Sequence, residues 1–467
     1  MTLLGGAPPS RTVAWLAGRP LSAAALLRAA TQLAERLPAQ GDAINLCQDR
    51  FLFSVGLLAA QLRRRTCLLP PNALPATLAL LQGGDAAPPF ALSDDAALLP
   101  RLHEQGLHTV FLEHAAAGLA AAAAPSFSAE LGPAPERAAF SLLTSGSTAT
   151  PSAHPKSWAT ARLITEAGVQ SLAEHLGWRD LAGLNIVATV PSQHSYGIES
   201  AVLLALLGDA AFDCGRPFYP ADVSAALARL PRPRALVTTP FHLKAVVQAG
   251  LALPQVDLIL SATAPLSPQL AQQAEAAFGA PLIEIYGCTE AGQVATRRTT
   301  RTEAWRTMGD LRVHADPAAP ADRVVVSGGH VSVPTPLADL IELQDERHFR
   351  LLGRANDLIH VAGKRSSLGH LNYHLNRIDG VRDGAFWQPD ETPDSVGRLV
   401  AFVVAPGVAA PHIVQALRPL LDAAFLPRRV LHVAALPREA TGKLTAAALR
   451  EFALRTLAQG AGPQGAP

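Results

Sequence analysis

Residues 256–287 read VDLILSATAPLSPQLAQQAEAAFGAPLIEIYG, a stretch that contains a strand, a helix and a second strand. The runs VDLILSA and PLIEIYG are short, apolar and rich in branched residues, which is typical of buried strands. Between them, Ser267 can cap a helix, Pro268 suits the first helical turn and Gly279 suits the helix end. This order of elements predicts a βαβ unit with parallel strands.

Similar runs precede this unit. Strands are expected from LNIVATVP at 184–191 and ALVTTP at 235–240, and helices from HLKAVVQAGL at 242–251 and from apolar residues at helical spacing over 21–37 and 51–62. Alternating strands and helices predict an α/β fold with a parallel sheet.

The pattern changes after residue 355. Strands are expected within RLVAFVVAP at 398–406 and RVLHVAALP at 429–437, and helices near 411–424 and 444–457. This part predicts a small α+β domain over 356–467, which follows a large domain over 1–355.

The composition excludes several classes of protein. The 467 residues are 49% hydrophobic and 16% charged, which excludes a mainly disordered chain. The net charge of +1 provides no basic field for nucleic acid or an anionic membrane, so neither is expected as a partner. The four cysteines have no CxxC spacing, which favours a reduced compartment. Since we find neither a signal core nor a run of apolar residues long enough for membrane insertion, we expect a soluble, cytoplasmic protein.

A hydroxyl-rich segment is the strongest candidate for a binding loop. Residues 141–158 read SLLTSGSTATPSAHPKSW, in which five small or hydroxylated residues precede a lysine: Thr144, Ser145, Gly146, Ser147, Thr148 and then Lys156. Hydroxyls and closely spaced backbone N–H groups can bind the oxygens of a triphosphate. The spacing is not that of a Walker loop, and an ordinary polar loop is the alternative.

Three further segments follow in order along the chain. YGCTE at 286–290 comes at the carboxyl end of a predicted strand, where α/β proteins bind ligands. GRANDLIHVAGKR occupies 353–365, and LPREATGKL at 436–444 contains Lys443. Together with the hydroxyl-rich segment, these resemble the ANL superfamily of adenylate-forming enzymes: acyl- and aryl-CoA synthetases, nonribosomal adenylation domains and luciferases. The resemblance implies a large adenylation domain with βαβ layers and a β-subdomain, followed by a small, mobile C-terminal domain.

The resemblance implies ATP and Mg²⁺ as cofactors and assigns the residues that bind them. The hydroxyl-rich loop and Lys156 would contact the β- and γ-phosphates, Thr289 the α-phosphate and Glu290 the Mg²⁺ ion. Nucleotide contacts are further implied for Tyr286, Gly287, Ala264 and Pro265. The chain departs from the family at Ala149, where glycine is usual, and in the length of the segment before Lys156.

Two aspartates compete for the ribose-binding position. Asp310 lies in WRTMGDL, which is similar to the family's Thr-Gly-Asp-Leu motif, but the family's aspartate precedes the Gly-Arg pair by 14 residues, which selects Asp339 in PLADLIEL. Two carboxylate oxygens suit the vicinal diol, and Arg354 is expected at the same sugar. We therefore assign the ribose to Asp339 and expect Asp310 in a solvated loop.

The resemblance also assigns residues of the mobile domain and the acid pocket. Asn356 takes the hinge position, where aspartate is usual, Gly363 would line the thiol tunnel, and Lys443 would bridge the carboxylate and the α-phosphate during catalysis. PSQHSYGIES at 191–200 is similar to the segment that borders the acid, so the resemblance assigns His194, Tyr196, Gly197 and Ser261 to the acid pocket. It also implies a catalytic role for His194. His370 stands where the family often has glutamate, and without a third ligand His370 and His374 do not predict a zinc site.

A finer resemblance comes from residues 45–72, the long segment before Lys156 and PSQHSYGIE. These are similar to short aryl-activating ligases of aryl polyene and xanthomonadin-type pigment clusters. That resemblance implies adenylation of an aromatic carboxylic acid such as 4-hydroxybenzoate and transfer to an acyl carrier protein. An aryl- or acyl-CoA ligase that uses free CoA, and a non-catalytic nucleotide-binding relative, are the alternatives.

Overall fold

A computed structural model describes most of the chain. The described residues are 3–5, 8–82, 87–114, 137–144, 152–317, 323–354, 358–361, 364–389, 398–438 and 444–459. They form a mixed α/β structure with a large N-terminal domain and a smaller C-terminal domain, which confirms the expected fold class. No helix in these ranges is both long and apolar enough to cross a bilayer.

An eleven-stranded sheet forms the centre of the large domain, in the order β19-β20-β15-β14-β13-β12-β11-β9-β10-β1-β2. Its strands are β1 (Thr12–Leu16), β2 (Arg19–Ser22), β9 (Asn185–Ala188), β10 (Ala211–Asp213), β11 (Arg234–Thr238), β12 (Leu258–Ser261), β13 (Leu282–Cys288), β14 (Gly292–Arg297), β15 (Trp305–Thr307), β19 (Asp339–Leu343) and β20 (His348–Arg354). The run from β13 through β12, β11, β9 and β10 to β1 is parallel, and the remaining pairs are antiparallel. The parallel half therefore brings the carboxyl ends of β9, β12 and β13, the strands that precede assigned site residues, to one edge.

A six-stranded sheet in the order β6-β5-β3-β4-β7-β8 packs beside it through a shared hydrophobic core. It consists of β3 (Ala43–Asn45), β4 (Cys67–Leu69), β5 (Phe90–Ser93), β6 (Thr109–Phe111), β7 (Ala138–Thr144) and β8 (Ser152–Ser157). Only β8 is antiparallel to its neighbour, because β7 and β8 form the hairpin that carries the hydroxyl-rich segment.

Helices cover the faces of both sheets. They are α1 (Ala23–Arg36), α2 (Arg50–Leu62), α3 (Pro75–Gln82), α4 (Leu99–Glu104), α5 (Trp158–Leu176), α6 (Ser195–Gly197), α7 (Leu204–Leu207), α8 (Pro220–Arg229), α9 (Pro240–Gln248) and α10 (Pro268–Phe278). The predicted βαβ unit is confirmed by α10: Leu270 N donates to the Ser267 hydroxyl at 3.2 Å, and Gly279 ends the helix with φ of 67°.

A smaller antiparallel sheet completes the large domain. It contains β16 (Arg312–Ala315), β17 (Val324–Gly328) and β18 (Val331–Pro336), with buried valines that pack against the antiparallel half of the central sheet. This sheet corresponds to the expected β-subdomain.

The C-terminal domain has its own hydrophobic core, whose members begin at Ile359. Its elements are β21 (Leu358–Val361), β22 (Lys364–Ser367), α11 (Leu368–Leu375), β23 (Asp383–Trp387), β24 (Val400–Val404), α12 (Ala410–Leu417), β25 (Arg429–His432) and α13 (Ala446–Gln459). The predicted α+β composition of this part is confirmed.

An ion pair at the start of α2 makes the stability of the large domain depend on pH. Asp49 caps the helix by accepting from Phe51 N and Leu52 N, and its other oxygen lies 2.8 Å from His114 Nε2. The hydrogen bond with Asp49 raises the pKa of His114 above its ordinary value, although burial opposes the shift. The pair therefore stabilises the fold fully below the pKa of unfolded histidine, and its contribution is lost as the pH rises through the raised folded pKa.

Between about pH 6 and about pH 9, the unfolding free energy of the wild-type protein should fall. We expect this fall to exceed that of the His114→Gln variant by up to about 1 kcal/mol. Urea unfolding at the two pH values measures this difference. Parallel pH dependences of the two proteins would exclude a contribution from the pair.

Candidate active site

Three predicted segments, together with the segment after β11, leave the central sheet at its carboxyl edge. The chain leaves β9 toward His194, β11 toward Thr239, β12 toward Ala264 and Pro265, and β13 toward Thr289 and Glu290. Because β9, β11, β12 and β13 are parallel, these exits lie side by side. This is the edge at which α/β sheets bind ligands.

Tyr286 and Asp339 come together although they are 53 residues apart in sequence. The Tyr286 hydroxyl donates to Asp339 Oδ2 at 2.7 Å, and its ring packs 5.7 Å from that of Trp305 and 5.6 Å from that of Phe349. Asp339 is also the register partner of Arg354 in the ladder between β19 and β20. The two residues assigned to the ribose are therefore neighbours, one of them in contact with the YGCTE segment.

Asp310 has a different environment. It lies in an exposed turn before β16, as the sequence predicted for a solvated loop residue. Asp339 contacts Tyr286, whereas Asp310 is exposed to solvent; the ribose assignment to Asp339 stays a prediction.

The turn between β13 and β14 carries Thr289 and Glu290. The Glu290 side chain is half exposed, and its Oε1 lies 3.8 Å from His154 Nε2. Its main-chain carbonyl accepts a hydrogen bond of 2.5 Å from Lys156 Nζ. Gly287 is needed just before this turn, because a Cβ there would lie 2.3 Å from the carbonyl oxygen of Gly292. The turn therefore leaves the Glu290 carboxylate accessible to a cation, while the hydrogen bond from Lys156 holds the main chain of the turn.

The β7–β8 hairpin contacts that turn through Lys156 on β8. Thr144 is the last residue of β7 and pairs with Ser152, the first residue of β8. Ser145, Gly146, Ser147 and Thr148 lie outside the described residues. Lys156 on β8 is only 7% exposed, and burial lowers its pKa, against the attraction of Glu199, Cys288 and Glu290.

The segment after β9 contains the residues assigned to the acid. His194 precedes α6, and Gly197 approaches the carbonyl of Pro191 so closely that a Cβ would lie 1.8 Å from its oxygen. The next turns form a π-helix, Ile198–Leu203, a conformation that is frequent at functional sites. Tyr196, within α6, is buried.

Buried hydroxyls without partners occur in the segment after β9 and at the end of β12. Among the described residues, the buried hydroxyls of Ser192, Tyr196 and Ser261 have no hydrogen-bond partner. Ser261 pairs in register with Thr238, whose hydroxyl lies 3.0 Å from that of Thr189. Burial raises the pKa of Tyr196 well above its usual value, and the adjacent main chain of Thr238 opposes part of the shift. The phenol therefore stays protonated and able to donate.

Arg50 supports this edge from the side of α2. It is 1% exposed and donates to four main-chain carbonyls at the ends of β9 and β10: those of Ala188, Val190, Asp213 and Gly215. Burial lowers its pKa to about 10, so the guanidinium remains charged at neutral pH. The sequence analysis did not identify this residue; the only signal was a charged side chain at the start of an otherwise apolar helix.

Two further residues of the site were not predicted. Glu199 is buried in the π-helix, and His330 is buried after Gly328 and Gly329 with an Nε2 atom that has no partner among the described residues. Burial and the nearby charge of Lys156 lower the pKa of His330 to about 4, so its ring is neutral. The consecutive glycines were the only signal for His330.

Several assigned residues cannot be placed. Asn356, Gly363 and Lys443 lie outside the described residues, and only the backbone of Arg354 is described. His370 and His374 form a T-shaped ring contact at 4.6 Å on α11.

A family model and several known proteins match this chain. The family model described as AMP-binding enzyme matches residues 7–326. A 4-coumarate–CoA ligase of Halorhodospira halophila is 31% identical over 316 residues, which cover 64% of this chain and 73% of that protein.

Among solved structures, the O-succinylbenzoate CoA synthetase of Bacillus subtilis with ATP and magnesium superposes with a TM-score of 0.76 at 20% identity, covering 95% of this chain and 96% of that one. The anthranilate CoA ligase AuaEII with anthranoyl-AMP gives a TM-score of 0.78 at 16% identity, covering 96% and 94%. These structures share the fold of this chain.

Proposed function

Because the chain belongs to the AMP-binding enzyme family, we propose that it is an ATP-dependent, AMP-forming ligase that activates an aromatic carboxylic acid and transfers it to a thiol. The observation that carries this proposal is the contact of Tyr286 with Asp339, next to Arg354 in the β-ladder, at the carboxyl end of β13. This contact joins two segments with adenylate-binding patterns into one site that suits a ribose. Relatives that are named CoA ligases support the same reaction class.

The reaction proceeds in two steps on this edge. The carboxylate of the acid attacks the α-phosphorus, the bond to the β-phosphate oxygen breaks, and pyrophosphate leaves. A thiol then attacks the carbonyl carbon of the acyl-adenylate, and AMP leaves. Asp339 and Arg354 orient the ribose, Thr289 and the hydroxyl-rich loop orient the phosphates, and Lys443 stabilises the charge that develops between carboxylate and α-phosphate.

Mg²⁺ fits the Glu290 carboxylate. This side chain is half exposed at the turn, and carboxylate and phosphate oxygens are the ligands that Mg²⁺ prefers. When bound, the ion neutralises phosphate charge. Lys156 and the backbone of the turn hold Glu290 in place from the protein side.

The proposed acid carries a hydrogen-bonding substituent, as 4-hydroxybenzoate does. Tyr196 and Ser261 support this, since their buried hydroxyls lack partners near the ladder pair of Thr238 and Ser261. A buried hydroxyl without a partner costs about 1–3 kcal/mol, and a substrate hydroxyl at this position would remove that cost. His194 and Gly197 belong to the same segment as Tyr196 and are proposed to line the acid pocket with it.

For the acceptor we propose an acyl carrier protein, on the basis of the similarity to aryl polyene ligases. Free CoA is the second candidate, and the names of the relatives favour it. The two acceptors share the phosphopantetheine thiol. Thioester formation with CoA and with a phosphopantetheinylated carrier protein, measured separately, distinguishes them.

The C-terminal domain, 356–467, is proposed to rotate about Asn356 between the two steps and to admit the thiol past Gly363. Its core is separate from those of residues 1–355. Among the described residues, the contacts between the domains include two hydrogen bonds: Lys244 Nζ donates to Val381 O at 2.6 Å, and Arg377 Nε donates to Gln269 Oε1 at 3.1 Å. Polar contacts of this kind are compatible with domain rotation.

Acid-dependent ATP–pyrophosphate exchange tests the proposed function. The panel contains benzoic, hydroxybenzoic, cinnamic and fatty acids. Exchange that only an aromatic class stimulates supports the proposal. Measurable ATP binding without exchange for any acid would overturn it and favour a non-catalytic relative.

Tyr196→Phe tests the nature of the acid. The variant keeps the ring and removes the hydroxyl, so we expect kcat/KM for 4-hydroxybenzoate to fall about 10-fold, because one hydrogen bond is lost. Activity toward benzoate should stay within about twofold, since benzoate cannot make that bond. Tyr219→Phe, at an exposed tyrosine, is the matched control. Equal losses for both acids would exclude this role of Tyr196.

A further inference from the structure

Three segments with different proposed tasks converge on two buried charged side chains, Lys156 and Glu199. We propose that Lys156 and Glu199 are positioning residues: together they hold the β7–β8 hairpin, the Thr289–Glu290 turn and the acid-pocket segment in one register, and Lys156 serves this purpose instead of binding phosphate. This inference rests on the proposed adenylation reaction and names residues that align its reactants.

Lys156 ties the hairpin to the turn. Its Nζ donates to the main-chain carbonyl of Glu290 at 2.5 Å, and the side chain is 7% exposed. The ammonium is thus directed at the backbone that carries the proposed Mg²⁺ ligand. Movement of β8, and with it the loop that begins at Thr144, would break this bond or displace the turn.

Glu199 ties the acid-pocket segment to the strand after the same turn. It is 2% exposed, accepts from Ser195 Oγ at 2.7 Å through Oε1, and accepts from Gln293 N at 2.9 Å through Oε2. Ser200, the next residue, also contacts Gln293, because Gln293 Nε2 donates to Ser200 Oγ at 2.9 Å. Two adjacent residues of the π-helix therefore hold Gln293 by its backbone and its side chain.

Lys156 and Glu199 each favour the charged form of the other. The attraction of Glu199 raises the pKa of Lys156, and that of Lys156 lowers the pKa of Glu199, in each case against the larger effect of burial. The ring of His330 is neutral, and burial raises the pKa of the Cys288 thiol to about 12, whereas the half-exposed carboxylate of Glu290 also attracts Lys156. Removing Lys156 would leave Glu199 buried with less compensation, which is unfavourable.

The arrangement matters because adenylation needs the carboxylate oxygen in line with the α-phosphorus. Glu199 lies in the segment assigned to the acid, and Lys156 contacts the turn that carries the proposed Mg²⁺ ligand. A displacement of about 1 Å between reacting groups costs about 10²-fold in rate. Loss of the pair should therefore affect turnover more than binding.

Lys156→Met and Glu199→Gln test the proposal against a direct phosphate contact. We expect kcat for pyrophosphate exchange to fall about 10²-fold in both variants, while the ratio of the Kd values for ATP and AMP stays within about threefold of the wild type. Faster hydrogen exchange in residues 288–294 is expected in both. A Lys156→Met protein whose ATP binding weakens about 10-fold or more with AMP binding unchanged would overturn the proposal, because only a contact to the β- or γ-phosphate predicts that pattern.

The double variant measures the coupling. If the residues act as one unit, Lys156→Met combined with Glu199→Gln should cost no more than the worse single change, whereas multiplied losses would overturn the pairing. Lys156→Arg keeps the charge and should regain part of kcat, which covers the case in which the methionine variant does not fold. Glu166→Gln, at an exposed glutamate of α5, is the control. If the wild-type protein shows no ATP–pyrophosphate exchange, only the proposed function is refuted. The Kd ratios for ATP and AMP and the amide hydrogen exchange of residues 288–294 still test the positioning role of Lys156 and Glu199.

Discussion

Lys443→Ala is expected to lower acid-dependent ATP–pyrophosphate exchange by about 10²- to 10³-fold, the usual effect of removing one preorganised group that stabilises transition-state charge. The lysine is proposed to bridge the carboxylate and the α-phosphate, where negative charge grows only as the reaction proceeds. Nucleotide binding should therefore change little. Exchange kinetics and calorimetric titration with ATP measure the two quantities separately.

Asp339→Ala is the informative comparison, because it should produce the opposite pattern. Asp339 accepts a hydrogen bond from Tyr286 and is proposed to accept hydrogen bonds from both ribose hydroxyls. Its loss should therefore weaken the binding of ATP and of AMP to a similar extent. Unchanged turnover of Lys443→Ala would remove Lys443 from the chemistry. Weakened nucleotide binding in that variant would move its role from the transition state to the ground state.

Arg50→Met should lower the unfolding free energy of the large domain by about 3–5 kcal/mol, because a buried acceptor that loses its donor costs about 1–3 kcal/mol. Methionine fills part of the volume, but it leaves four carbonyls at the ends of β9 and β10 without their donor. The end of β9 leads directly to Pro191 and His194. Loss of the acid site should therefore accompany the loss of stability.

Denaturant unfolding followed by circular dichroism measures the effect of Arg50→Met. Arg63→Met changes an exposed arginine at the other end of α2 and should alter the midpoint little. Arg50→Lys, which keeps the charge but offers fewer fixed donors, should fall between the wild type and Arg50→Met. If the midpoints of the Arg50→Met and Arg63→Met proteins agree, Arg50 does not have the stabilising role inferred here.

The regular elements near the site were largely predictable, because their signals are local. Ser267 and Gly279 limit α10 as expected, and the apolar runs at 184–191 and 235–240 contain β9 and β11. The choice of Asp339 over Asp310 depended on spacing within a family pattern, and the contact with Tyr286 agrees with it. The roles of Lys443, Asn356 and Gly363 stay predictions, since these residues lie outside the described part of the chain.

Arg50, Glu199 and His330 were missed for a common reason. Each is a polar side chain that is buried by elements far away in sequence: Arg50 binds carbonyls 138 to 165 residues away, and Glu199 binds Gln293 across 94 residues. In the sequence, Glu199 is one acidic residue in an apolar stretch. Neither hydrophobic periodicity nor capping patterns report such contacts.

The sequence by itself determined the order of strands and helices, the class of the fold and the four segments that carry the proposed chemistry, because apolar spacing, caps and motif spacing are properties of neighbouring residues. Only the tertiary structure decided which of these segments touch, and it brought Tyr286 to Asp339 and Lys156 to the carbonyl of Glu290. The physical reason is that burial, and with it the need of each buried polar group for a partner, exists only once distant strands pack into one sheet.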